Sequence, residues 1–96
     1  SVDANVQADM RAFLESQPRI ARVISLITLQ LGNEIMVSVH AEMRDIGTSR
    51  DMIDGINAIE AELKQRFPNV RWSFFEPEME GQGRDDQDYG SVEPIA

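Results

Sequence analysis

The sequence predicts a small α+β fold, an open-faced sandwich in which a three-stranded sheet carries two helices on one face. Three observations point to it. Two segments repeat apolar residues at helical spacing, and three others are rich in β-branched and aromatic residues. Their order along the chain is helix, strand, strand, helix, strand. At 96 residues with 42% hydrophobic content, the chain suits one domain with a single modest core.

The first helix is predicted over residues 3–16, where Val6, Met10, Phe13 and Leu14 share one side. Pro18 ends it, because the residue before a proline is pushed out of helical geometry. Residues 22–31 and 35–43 read as two strands joined by Gly32-Asn33-Glu34, an antiparallel hairpin. The second strand alternates cleanly, with Ile35, Val37, Val39, Ala41 and Met43 on one side. Thr48 followed by Asp51 forms a capping box for a helix running to about Phe67. Met52, Ile56, Ile59, Leu63 and Phe67 make its apolar stripe, and Gly55 is its weak point, at about 1 kcal/mol relative to Ala. Pro68-Asn69 stops this helix, and residues 70–76 form the third strand.

Alternation assigns the faces. Ser25, Ile27, Leu29 and Leu31, with Val37, Val39 and Ala41 and with Val70, Trp72 and Phe74, form the expected core face. The opposite face collects Ile24, Leu26, Met36, Ser38, His40, Glu42, Arg71, Ser73 and Phe75. No third layer covers it, so Ile24, Leu26, Met36 and Phe75 are expected as exposed apolar surface, which marks an interface. A second copy of the chain is the simplest partner. Arg71 is expected to pair with Glu42 across the sheet or the interface.

Composition narrows the function. A formal charge of -8 argues against nucleic acid, whose phosphates need clustered Lys and Arg. The absence of cysteine excludes disulfides, thiolate metal sites and thiol nucleophiles. The most apolar run, residues 23–31, is too short and polar to span a bilayer, and no signal-peptide pattern opens the chain, so a soluble chain is expected. Phosphate-binding glycine loops, zinc-protease motifs and nucleophile elbows are absent, and His40 with Glu42 or Asp45 lacks a nucleophile or oxyanion donors, so an enzyme is not expected. The methionines fall at core or interface spacing, which suits gap filling better than copper binding.

The hairpin RVISLITLQLG (residues 22–32) with its mate IMVSVH (residues 35–40), Ile59-Glu60 leading to Arg66-Phe67-Pro68, and the terminal Phe75-Glu76-Pro77-Glu78 together carry a resemblance. Over residues 5–80 the chain resembles the cytoplasmic C-terminal domain of cation diffusion facilitator (cation efflux) transporters. The resemblance implies a ferredoxin-like, metallochaperone-like domain, spanning residues 1–80, on the cytoplasmic side of the cell membrane. It also implies a V-shaped homodimer and a partner in the transmembrane domain of the parent transporter. Such domains often bind divalent cations near the dimer cleft, and the transporters export zinc, manganese, iron or related ions. None of the membrane helices lies in this chain, so no direct membrane insertion of this segment is expected. Residues 81–96, glycine-rich, acidic and aperiodic, are expected as a flexible acidic tail outside the resemblance.

Zinc-binding members tend to place a histidine early in the first strand, in the middle strand, in the second helix and at the end of the last strand. Here the middle-strand histidine matches His40, while Ile24, Ile53 and Phe75 occupy the others, and Glu76 and Glu78 stand one residue out of step with the acid that follows. His40, Glu42, Glu76 and Glu78 are therefore the candidate metal ligands. One histidine with carboxylates suits manganese or iron(II) better than a full zinc site, unless a dimer doubles the donors. Read without a metal, His40 is an interface histidine beside Ile24, Leu26, Met36 and Phe75, and the acids are a solvated strand exit. Three functions remain open: a metal-sensing regulatory dimer, a metal-independent dimerisation module of such a transporter, and a ferredoxin-like small-molecule sensor.

Overall fold

The computed structural model describes residues 2–81. Helix α1 spans Ala4–Glu15, strand β1 Ile20–Leu31, strand β2 Glu34–Met43, helix α2 Ser49–Arg66 and strand β3 Val70–Met79. The element order and the sheet with two helices on one face are those predicted. Most of the segment predicted as an acidic tail, residues 82–96, lies outside the described residues.

Local chemistry explains each boundary. Asp3 caps α1, its carboxylate accepting the Asn5 amide at 2.7 Å. Gly32, at φ 64°, turns β1 into β2 in a conformation that a side chain would strain, and Leu31 pairs with Glu34 directly across the turn. The Thr48 and Asp51 capping box opens α2, and Lys64 and Arg66 sit in its last turn, where the helix dipole favours cations. Gly55 has a packing reason: the Arg19 side chain lies across it, where a Cβ would collide.

The sheet order is β1-β2-β3, with β1 antiparallel to β2 and β2 parallel to β3 through the α2 crossover. The core lies between the helices and one sheet face. Met10, Phe13 and Leu14 of α1 and Ile59 and Leu63 of α2 meet Ile35, Val37, Val39, Ala41 and Met43 of β2. Gln7 donates to the Leu26 carbonyl at 3.5 Å, and the Ser73 hydroxyl donates to Glu60 at 2.6 Å, tying one helix to each outer strand.

The central strand keeps its predicted faces; both outer strands turn over. The pairing of β1 with β2 slips between Val23 and Ser25, leaving Ile24 as an extra residue, and Ile20 to Arg22 carries a similar slip. In β3 the slip falls between Val70 and Trp72, which pair with the adjacent Ile35 and Met36. One extra residue reverses every side chain beyond it. Val70 therefore faces the core as expected and Val23 is buried there too, but the residues that follow do not keep the expected facing. Leu26 is buried and Phe75 packs against the core, so neither lies on the open face to which alternation assigned them. Ile27, Leu29, Leu31, Trp72 and Phe74, expected inside, are 57%, 48%, 45%, 39% and 57% exposed. The third strand also runs on to Met79; Pro77 is tolerated there because β3 is an edge strand.

Candidate functional site

The uncovered sheet face divides along its length. Toward the hairpin it presents Ile27 and Leu29 on β1, Met36 on β2, and Trp72 and Phe74 on β3. Pairing places Leu29 beside Met36 and Met36 beside Trp72, with Ile27, Ser38 and Phe74 forming the next row. Arg71 covers part of this end, its guanidinium 5.4 Å from the Trp72 ring centroid. Its carboxylate partner is Glu34, at 3.2 Å, and not Glu42 as the predicted facing implied.

Toward the other end the face becomes ionic. His40 sits on the central strand between Ser25 and Glu76, and Glu42 lies beside Arg22 and Glu78. The His40 Nε2 atom is 3.5 Å from a Glu78 oxygen and 3.8 Å from a Glu76 oxygen. It is buried and lacks a hydrogen-bond partner, since both oxygens stand beyond good bonding distance. Glu42 faces Arg22 at 3.9 Å. An imidazole and two carboxylates are side chains of the kinds that bind divalent cations.

Of the four candidate ligands, the fold thus brings His40, Glu76 and Glu78 together, with Glu42 alongside but matched to Arg22. Among the described residues, no group of three or more His, Asp or Glu side chains is assembled closely enough to hold a metal ion. Within one chain these side chains do not by themselves make a metal site. Asp45 lines a separate hollow at the start of α2, and Glu80 pairs with Arg44 at 4.0 Å. Ile24 is the half-buried bulge residue of β1, and Ile53 lies on α2, which covers the opposite sheet face.

Sequence reasoning missed Trp72, Phe74, Ile27 and Leu29 as open-face residues, and Arg22 as a neighbour of the acids. One signal was available. Trp72, Phe74, Glu76 and Glu78 alternate, so they share a face, and carboxylates cannot face an apolar core unpaired.

No helix among the described residues is long and apolar enough to cross a membrane. A search of curated proteins finds none that matches the chain. The fold is similar to solved structures of the MamM C-terminal domain. A nickel form of a MamM CTD variant has a TM-score of 0.71 at 17% identity, covering 80% of this chain and 98% of that one. A zinc form of a MamM CTD variant has a TM-score of 0.69 at 17% identity, covering 78% and 82%. A further MamM-CTD variant reaches 0.72 at 17% identity, covering 81% and 98%. At these identities the likeness establishes the ferredoxin-like fold. Residues 2–73 match the family model described as cation efflux protein, cytoplasmic domain. The chain therefore belongs to the family of cytoplasmic domains of cation efflux proteins.

Proposed function

We propose that this domain regulates a divalent cation efflux transporter by pairing with a second copy through the open sheet face, with a shared cation bound at the ionic end of that face. The observation that carries the reading is the unpartnered His40 Nε2 held between Glu76 and Glu78 beside a strip of exposed apolar side chains. The apolar strip supplies the association, since clustered exposure of this kind marks an interface. Of the residues expected at the interface, Met36 and His40 lie on this open face, whereas Leu26 and Phe75 lie on the core side; Trp72, Phe74, Ile27 and Leu29 supply its exposed apolar side chains.

The acids set the response. With a net charge of -8, two copies brought face to face repel, most strongly where Glu42, Glu76 and Glu78 meet their counterparts. A cation bound by His40 and the carboxylates relieves this repulsion, and a second copy supplies the donors that one chain lacks. The metal then favours the closed pairing by its differential affinity for it. One imidazole and several carboxylates per copy suit manganese, iron(II) or zinc. In the parent protein, the transmembrane domain is the partner that reads this closure, on the cytoplasmic side of the membrane. These roles leave no place for catalysis in the domain.

Calorimetric titration with zinc, manganese and iron(II) tests the metal reading. Saturable binding of at least one ion, lost in His40→Ala and in Glu78→Gln, is the expected result; flat traces for all three ions would sink it. Light scattering at micromolar concentration tests the pairing: a dimer that becomes a monomer in Phe74→Asp is expected, and a wild-type monomer with and without metal would overturn it. A second reading, a metal-independent dimerisation module, is favoured by the absence of an assembled three-ligand group among the described residues. A dimer indifferent to metal and to His40→Ala would establish that alternative.

A further inference from the structure

The open sheet face is asymmetric from flank to flank as well as from end to end. In its outermost ionic row Arg22 of β1, Glu42 of β2 and Glu78 of β3 stand side by side, with a cation on one flank and an acid on the other. In the next row Ser25 and Glu76 flank His40. The apolar rows divide in the same way, with aliphatic Ile27 and Leu29 on the β1 flank and aromatic Phe74 and Trp72 on the β3 flank. Arg22 is held only loosely by its own chain. Its Nε atom stands 3.9 Å from Glu42, beyond hydrogen-bond distance, and its side chain is 60% exposed.

Two copies can lay this face on one another about a twofold axis that runs either along β2 or across the strands. An axis across the strands sets β1 on β1 and reverses the rows. The ionic rows then fall on apolar rows of the partner, where charges are desolvated without partners, or hang beyond its edge. An axis along β2 keeps each row on its counterpart and sets β1 against the partner's β3. Ile27 then faces the partner's Phe74, Leu29 faces the partner's Trp72, and Arg22 faces the partner's Glu78.

We infer that the two copies are related by an axis along β2 and held in that orientation by two reciprocal ion pairs, Arg22 of each copy with the partner's Glu78; this rests on the sheet-face pairing proposed above. Complementary charges placed off the axis fix the orientation, because other placements set them against like charge or apolar surface. Arg22 offsets only part of the acid at this end. The remaining excess centres on Glu42, which faces its own counterpart across the axis. Neither ion pair involves a metal, so the orientation is set before a cation enters.

Exchanging the charges tests this. Arg22→Glu sets carboxylate against carboxylate at both contacts, and Glu78→Arg sets guanidinium against guanidinium. Each variant alone should dimerise roughly tenfold or more weakly, read by sedimentation equilibrium in one buffer and metal condition where the unsubstituted chain is a dimer. An equimolar mixture of the two puts opposite charges together at both contacts and should recover the dimer, seen as a one-to-one mixed pair by native mass spectrometry. The chain carrying both substitutions should dimerise like the unsubstituted one. Mixing Arg22→Glu with Glu15→Arg, which adds the same charge on exposed α1, should recover nothing. Undiminished dimers in both single variants, or failure of both the mixture and the double variant, would overturn the orientation and leave the sheet-face pairing standing. So would equal recovery with Glu15→Arg, because net charge alone would then explain the effect. An unsubstituted chain that is monomeric in every condition overturns the pairing itself, and the orientation with it.

Discussion

Asp51 shows how one side chain can set both a helix start and a response to acid. Its carboxylate accepts the Thr48 amide at 2.9 Å, while its own amide donates to the Thr48 hydroxyl oxygen at 3.1 Å. The Thr48 amide foremost, then the Thr48 hydroxyl, and to a lesser extent the Arg19 charge, hold its pKa below the ordinary 3.8. A carboxyl whose pKa is lower when folded binds protons more readily when unfolded. Its contribution is therefore complete above 3.8 and is lost as pH falls through the lower folded value. Asp51→Asn should reduce stability near neutral pH and flatten the loss of stability on acidification below 3.8, read from urea unfolding at a series of pH values. Thr48→Ala, which removes the reciprocal half of the box, should lower stability by about 1 kcal/mol in the same assay. An unchanged acid limb in Asp51→Asn would show that other carboxylates dominate it.

At the scale of elements, the three strands differ in how much of their geometry is written in their residues. β2 is paired on both sides without an extra residue, and its alternation, from Ile35 to Met43, reads correctly from the sequence. β1 and β3 are edges, where bulges are common; β1 carries two extra residues and β3 one, and no composition cue marks them. Ile24 looks like any other strand residue, so the inversion after it was hidden. In β3 the inversion was legible from Glu76 and Glu78, whose charge fixes the face on which Trp72 and Phe74 also stand. His40 could be placed beside those acids only once the register was known, because they come from strands joined through a whole helix. The bulge reading makes a distinguishing prediction. Deleting Ile24 removes the unpaired residue and leaves the Leu26–Val39 pairing intact, so the protein should still unfold cooperatively with a modest loss of thermal stability. Deleting Ile27 would turn the rest of β1 over and should cost clearly more; equal effects would contradict the assigned register.

For the molecule as a whole, the two sheet faces have opposite roles. One is consumed by the helices, and every large side chain buried below 2% exposure belongs to that core: Met10, Leu14, Met43, Leu63, Val37 and Val39. Among the described residues nothing covers the other, and its apolar and ionic parts lie toward opposite ends. Chain entry coincides with the apolar half and chain exit with the ionic half. Association and ion response are then separable by mutation. Phe74→Asp and His40→Ala fall in neighbouring rows of the same face, Phe74 beside Ser38 and His40 beside Glu76.

The parallel pairing of β3 with β2 carries a consequence in time. β1 and β2 meet through a tight turn, so their contacts are local and form early. β3 reaches its place only after α2 has crossed over, and its contacts close a longer loop. Glu76 and Glu78 of the candidate set ride on β3, whereas His40 and Glu42 ride on β2. Native-state hydrogen exchange should therefore show β3 amides opening at lower free energy than those shared by β1 and β2. If so, His40 and the candidate carboxylates of β3 come apart before the domain unfolds, and a cation bridging them, as proposed, would slow the exchange of β3 in particular.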